Sequence, residues 1–386
     1  MKKVRVNVVL VLFVFLVFAL CGIGHPLQAA EPVKVGAIVS LTGWAGFLGT
    51  PIKESIEVAA DEINGKGGVL GRQIQVFFED DQSNPTNSVV AATKLIRDRK
   101  VGFLIGPSFT AGCMSILPIC EEQQIPVMFP TPATAGLNKW VFHVLIDDTR
   151  HGKGMLDFMA TTLKAKKIAI LTGDEVGFMS GVKAIEDNIA QYGVTIVAKE
   201  QFKVNDTNMV PQLSKIKATN PDVILFYGIA PPASVAAKNY VQLGMKQPVV
   251  CSWGVASKDF AKLAGTVLKD KPWIIFGLEF LHGDKLPASD PYRKIYDPFV
   301  KAIRDKFNKE AQTFGANAYD ALWVIAEAIK LANTDDRAAV RDAMEKVRFT
   351  GLVGQFACSP TDHYGMSIKA VVPQVIRDGE FYPYKK

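Results

Sequence analysis

Residues 104–135, LIGPSFTAGCMSILPICEEQQIPVMFPTPATA, decide how the rest of the chain is read. Leu104-Ile105 closes an apolar run, and Gly106-Pro107 turns the chain sharply. A short helix is expected to open near Thr110. Residues 125–129 form a second apolar strand that ends at Thr131-Pro132-Ala133-Thr134. Two strand-to-helix turns therefore stand side by side, each with hydroxyls and free backbone N–H groups. At the carboxyl ends of a parallel sheet such turns are where ligands sit, and N–H groups at helix starts favour anions.

The same alternation extends outward in both directions. Strands are expected at 33–39, 73–78 and 102–105, with helices at 51–64 and 84–95 between them. The first helix puts Ile52, Ile56, Ala59, Ala60 and Ile63 on one face and stops at Gly65-Lys66-Gly67-Gly68. The pattern pauses at Asp147-Asp148-Thr149-Arg150-His151-Gly152 and restarts. Strands at 167–171, 194–199, 223–227, 248–252 and 273–278 then alternate with helices at 179–192, 210–218, 233–243 and 259–264. Such alternation means βαβ units in a parallel sheet. Three later helices, at 291–308, 319–332 and 335–347, must pack back on one of the two units. The tail, 354–384, has strand character, with a strand at 370–376 and then a turn at Asp378-Gly379. The chain is thus expected to cross between domains more than once, which makes a hinge. Lobe 1 is placed at 31–149 plus about 284–350, and lobe 2 at 150–283 plus about 351–386.

Residues 1–30 have the anatomy of a secretory signal peptide. Lys2, Lys3 and Arg5 precede a wholly apolar stretch at 8–20, and Leu27-Gln28-Ala29-Ala30 suits cleavage. The rival is an uncleaved anchor, against which Pro26 and the alanine pair speak. Lipidation at Cys21 is disfavoured by Leu20, which stands where a small residue is expected. Removing this leader leaves 356 of the 386 residues, enough for two α/β domains. It takes away three of the 44 basic residues and no acidic one, so 41 basic face 38 acidic, net +3. That balance argues against nucleic acid or anionic membrane as the main partner. No other apolar stretch reaches the roughly eighteen residues of a spanning helix. A soluble periplasmic protein, and a monomer, is expected.

Enzymatic readings find little support. No P-loop or strand-anchored GxGxxG occurs, since the glycines at 65–71 follow a helix. The five histidines are scattered, and no GxSxG elbow is present. Cys113, Cys120, Cys251 and Cys358 form no CxxC pair, so zinc is disfavoured. Cys113 and Cys120 lie seven apart on the expected helix, about 10 Å of rise, too far for a disulfide. A Cys251–Cys358 bridge and free buried thiols both fit, the thiols being preferred. No cofactor and no metal are expected.

Several runs recur together, in order, in one known family. They are Val35-Gly36-Ala37-Ile38-Val39-Ser40-Leu41-Thr42-Gly43, Ala59-Ala60-Asp61-Glu62-Ile63-Asn64 with Gly67-Gly68-Val69-Leu70-Gly71-Arg72, Glu79-Asp80-Asp81, Ile105-Gly106-Pro107 and Thr131-Pro132-Ala133-Thr134. The whole exported chain resembles the periplasmic leucine/isoleucine/valine-binding proteins, the type I solute receptors of ABC importers. The resemblance implies an α/β fold of two Rossmann-like lobes joined by three crossings, with a ligand in the cleft. It also implies a membrane permease as partner. By position, Thr110 with Ala111, and Thr134, would hold a ligand carboxylate. Pro132 would offer its carbonyl to an ammonium, and Phe314 would be an apolar wall. The family's glutamate for the ammonium falls at Trp253, and an aromatic of the Gly228 turn falls at Ala230. Another aromatic falls at Gly177 or Phe178, while Trp44, Phe47 and Leu48 alter the first loop.

Thr110 and Thr134 could also be simple helix caps, and Trp44 and Trp253 could be ordinary packing. Cleft contact is the reading taken for all four, and for Phe47, Phe178 and Phe314. His143 and His151 are expected to be surface or hinge residues, and Asp80 and Asp81 turn and cap residues. Asp174 or Glu175 could replace the lost glutamate. The expected activity is capture of a small carboxylate-bearing molecule for an ABC importer. An apolar or aromatic acid is favoured, with an aliphatic amino acid next. The alternative is a ligand-sensing partner of a membrane receptor that uses the same cleft.

Overall fold

In the computed structural model, which describes residues 30–133, 136, 138–269 and 271–385, two parallel sheets obey the same rule. Residues 1–29, which carry the expected signal peptide, and Thr134 lie outside the described residues. All elements named below belong to the unit Val33–Lys386.

The first sheet follows β1 (Val33–Val39), α1 (Gly46–Gly65), β2 (Ile74–Asp80), α2 (Pro85–Arg97), β3 (Phe103–Ile105), α3 (Thr110–Ser115), α4 (Leu117–Glu122), β4 (Val127–Phe129) and β5 (Val141–His143). Its strands are all parallel, in the order β2-β1-β3-β4-β5. After α5 (Asp148–Asp157) the second sheet repeats the pattern. Its elements are β6 (Lys167–Gly173), α6 (Val176–Asn188), β7 (Thr195–Phe202), α7 (Val210–Ala218), β8 (Val223–Tyr227), α8 (Ala230–Gln242), β9 (Val249–Cys251), α9 (Lys258–Leu268) and β10 (Trp273–Leu278). These strands run β7-β6-β8-β9-β10, the order of the first sheet. Both sheets therefore have a point where strand order reverses, β1/β3 in one and β6/β8 in the other, and a crevice opens outside the strand ends there. Central strands such as β8, VILFY, are buried at every residue because helices cover both faces.

The chain then returns to the first lobe through α10 (Arg293–Phe307), α11 (Thr313–Ala332) and α12 (Arg337–Met344). α11 packs along α1, and its Leu322, Ile325 and Ile329 are fully buried. Each such side chain contributes about 1.5–3 kcal/mol. A short hairpin, β11 (Arg348–Gly351) and β12 (Gly354–Ala357), leads to β13 (Val371–Arg377) and β14 (Glu380–Pro383). These two add antiparallel strands beside β10. They are joined at Asp378-Gly379, both left-handed, as a tight hairpin turn requires. The chain thus passes between the lobes three times. The third passage lies beside the first: His143 N donates to His363 O, and Gly365 N to His143 O, both at 2.9 Å.

Some expectations need correction. The stretch expected to be a loop through Gly49 turns helical at Gly46, so Phe47 and Leu48 lie on the first turn of α1. Residues 110–122 form two short helices rather than one, because Pro118 restarts the helix after Ile116. α11 begins at Thr313, six residues before the expected start, where Gly315 and Asn317 weaken the helical signal. β5 and β11 went unforeseen, their three- and four-residue strands being too short to show a period, while β12 falls within the strand-like tail. His143 and His151 are buried completely rather than at the surface, and His143 lies at the passages, in keeping with the hinge half of that expectation. All four described cysteines are free and buried, in agreement with the preferred reading.

One buried carboxylate fastens the last passage. Asp320 of α11 accepts from Leu352 N at 2.9 Å and Val353 N at 2.8 Å, in the turn between β11 and β12. Burial pushes it up to about 7, against the pull of those two N–H donors. The usual value is 3.8, so the folded state holds this proton more tightly than the unfolded chain does. Its contribution is therefore full below about pH 4 and is lost as pH rises to about 7. Urea midpoints measured across that window should fall more steeply with pH in the wild type than in Asp320→Asn. Equal slopes would remove Asp320 as the source.

Candidate functional site

The turns that follow β1, β2 and β3 are joined through a buried acid. Asp81 accepts from Ser40 Oγ at 2.7 Å, Ser88 Oγ at 2.9 Å and Ser83 N at 3.0 Å. Burial raises its carboxyl above the usual value, and the two serine hydroxyls pull against that. Ser40 N in turn donates to Ser108 Oγ at 3.1 Å, in the turn that leads to Thr110. The neighbouring Asp80 accepts from Leu41 N at 2.9 Å and from the Thr42 hydroxyl at 2.8 Å. These acids, expected to serve their own turn, fasten the adjacent one as well. Gly49 is required here, because a Cβ on it would collide with the Ser40 carbonyl oxygen.

Between the two strand-order reversals lies a cavity of about 110 Å³. One water occupies about 10–15 Å³ on that measure, so the space suits a molecule of roughly ten heavy atoms. It is lined from both lobes. Of the residues expected at the site, Trp44, Thr110, Pro132, Phe178, Trp253 and Phe314 line it together. Phe47 and Ala230 do not. They face an outer groove on the far side of Phe314, and Phe47 meets the Phe314 ring edge-on at 5.9 Å. Helix α1 starts early enough to carry Phe47 away from the cavity, while Ala230 is 7% exposed and too short to reach it. Ala111 lines neither space. Phe109, not Thr110, occupies the cap position of α3, which leaves the Thr110 hydroxyl free of a capping role.

The two tryptophans are held by other rings. Trp44 meets Phe109 edge-on at 5.6 Å, and Trp253 stacks on His151 at 4.3 Å and 27°. Burial depresses the His151 ring to about 3, so it is neutral, and neither nitrogen has a hydrogen-bond partner among the described residues. Behind Thr131, also on the wall, stands Cys113, whose Sγ lies 3.1 Å from the threonine hydroxyl.

Polar groups that the sequence reading missed give the cavity its electrostatics. Asp148, 2% exposed, lines it and accepts from the Tyr227 hydroxyl at 3.0 Å. Burial drives its carboxyl well above the carboxylate range, the Tyr227 hydroxyl offsetting only part of that and the Asp147 charge adding to it. Glu175, foreseen as a substitute acid, also lines the cavity, whereas Asp174 does not. Burial raises Glu175 too. No lysine or arginine is among the described lining residues. From α11, Asn317 donates to Pro130 O at 3.2 Å, leaving its Oδ1 buried without a partner among the described residues. Faint signals for these groups exist in the sequence. Asp147 caps α5 by accepting from Arg150 N, so the adjacent Asp148 is free for other work. Tyr227 is the polar end of an otherwise apolar strand.

No group of His, Cys, Asp and Glu among the described residues is placed to hold a metal ion, and no helix among them is long and apolar enough to cross a membrane. The periplasmic binding protein family matches residues 32–379. A Leu/Ile/Val-binding protein homolog from Brucella melitensis is 26% identical over 328 residues, 83% of this chain and 85% of the relative. Among solved structures, an extracellular ligand-binding receptor from Rhodopseudomonas palustris HaA2 superposes with a TM-score of 0.83 at 26% identity, over 92% of this chain and 99% of that one. A leucine-binding protein from Thermotoga maritima gives 0.79 at 25% identity, over 92% and 98%. With two lobes, three passages and a cavity between the strand-order reversals, the chain belongs to the periplasmic binding protein family, whose members work outside the cytoplasm.

Proposed function

We propose that the protein captures a small carboxylate-bearing molecule between its lobes and delivers it to the membrane permease of an ABC importer. The observation that carries this reading is the cavity itself. Its walls are largely apolar, it is the size of one small acid, and it is bounded by hydroxyl-bearing turns. In this reading the turns at Thr110–Ala111 and Pro132–Thr134 anchor the carboxylate. Trp44, Phe178, Trp253 and Phe314 bound the body of the ligand with flat apolar area, and Phe47 and Ala230 stand outside them toward the groove. An apolar or aromatic acid is the favoured class, because the family resemblance puts Trp253 at the position of the glutamate that would pair with an ammonium. The second reading, an aliphatic amino acid, is supported by Glu175 on the wall and by the relatives' names.

A thermal-shift comparison separates the two. Phenylacetate should raise the melting temperature, since a ligand at a hundred times its Kd adds about 2.7 kcal/mol. A large shift with leucine and none with phenylacetate would reject the aromatic-acid preference.

Closure can be tested at Gly177, which faces Thr110 across the cleft. A Cβ there would stand 2.8 Å from Thr110 Oγ1. Gly177→Leu should prop the lobes apart and weaken binding by about tenfold or more, about 1.4 kcal/mol. X-ray scattering should then show a radius of gyration that no longer contracts on ligand addition. Unchanged affinity would mean that closure does not use this approach.

A further inference from the structure

Thr110 of the first lobe and Asp148, at the passage toward the second lobe and hydrogen-bonded to its Tyr227, converge on Gly177. The point where a Cβ would stand on Gly177 is 2.8 Å from Thr110 Oγ1 and 3.1 Å from Asp148 Oδ2. Those two oxygens are therefore no farther apart than about 6 Å, the two distances laid end to end. A single oxygen hydrogen-bonded to both would span about 5.4 Å. A carboxylate lodged between Thr110 and Asp148 can therefore contact both.

Among the described residues, no lysine or arginine lines the cavity beside Asp148 to compensate a second negative charge. Its Oδ1 accepts from the Tyr227 hydroxyl of β8, and the Trp253 side chain also favours its charged form. Asp147, beside it in the chain, is acidic and is engaged by Arg150, which reaches out to Asp362. Glu175 on the cavity wall is a further acid. His151, one turn on in α5, is neutral. Two carboxyl groups at hydrogen-bond distance in a buried site cannot both ionise and retain one proton between them.

Resting on the reading that Thr110 receives the ligand's carboxylate, we propose that Asp148 shares a proton with that carboxylate in the closed cleft, so that the protein captures an organic acid together with one proton. The proton comes from water. Asp148 Oδ2–H donates to a carboxylate oxygen of the ligand, no covalent bond of the ligand changes, and the proton leaves when the lobes open. Asp148 is on this account a specificity-determining residue that favours acids lacking a cationic group near the carboxylate.

The test is calorimetric titration of the full chain with phenylacetate and with its neutral analogue phenylacetamide, at about pH 6 and about pH 8 and in buffers of different protonation enthalpy. Phenylacetate should bind more tightly at the lower pH, with a limit of about tenfold per pH unit, and should take up close to one proton. Its own titration lies near pH 4 and does not produce that slope. In Asp148→Asn the amide N–H replaces the O–H donor, so binding should persist and the pH slope should vanish. Binding of leucine without phenylacetate overturns the proposal while leaving the carboxylate reading in place, because leucine carries a cationic group beside its carboxylate. Absence of proton uptake by the wild type, or an equal slope in Asp148→Asn, overturns the proposal. Phenylacetamide binding as tightly as phenylacetate, or binding of neither phenylacetate nor leucine, instead overturns the carboxylate reading beneath it, and this proposal with it. The proton count is read on the wild type, so the test does not depend on how the variant folds.

Discussion

The first wall of the cleft depends on the hydrogen bonds that Asp81 accepts from Ser40, Ser83 and Ser88. A carboxylate taken out of water is costly unless its lone pairs are met, and here three donors from two successive turns meet them. Ser40 passes the constraint on, its backbone N–H binding the Ser108 hydroxyl. The turns carrying Trp44 and Thr110 are therefore tied to one another.

The second wall is built differently. Its turns are held by close backbone approaches and by rings rather than by one acid. Ser252 Oγ and the Gly228 backbone are hydrogen-bonded in both directions, at 3.0 and 3.1 Å, which ties the turn after β8 to the turn after β9. Trp253 then rests on the neutral His151 ring. The lobes themselves are only lightly joined across the mouth of the cleft. Lys262 and Glu310 pair there at 2.9 Å, with side chains 58% and 53% exposed. Such an exposed pair is worth about 1 kcal/mol at most, far too little to lock the cleft. The strong restraints lie at the passages, where His143 pairs with residues 363–365 and Asp320 grips residues 352–353.

Much of this was legible because periodicity survives in long elements. The alternation of β1 through β4 and β6 through β10 with helices stands in the sequence as apolar runs between amphipathic ones. The repeated strand order makes two such runs into two lobes. The site was legible in part. Thr110, Pro132 and Trp253 could be placed on turns of the right strands, and turns at strand ends point into the crevice by topology alone, whereas Phe314, in the first turn of α11, came only from the family resemblance. Phe47 and Ala230 could not be assigned correctly, because which way a residue faces at the start of a helix depends on where that helix begins. α1 begins before the sequence signals it, since Gly46 and Gly49 are poor helix formers retained for a close contact. Asp148 was hidden for a related reason. Its neighbour Asp147 is the conventional cap, and only the approach of α5 to β8 shows that Asp148 faces Tyr227 and the cavity.

Sequence alone determined the fold class, the two lobes and the set of turns from which a ligand site must be drawn, since each follows from local hydrophobic period and from turn residues close in the chain. Tertiary structure alone decided the chemistry of the cavity. Thr110 and Asp148 are far apart in the chain and are brought together at Gly177 by tertiary packing alone, and no local pattern reports a juxtaposition of that kind. Burial then does what no sequence position can foretell: it strips water from Asp148 and changes the protonation state that the group prefers.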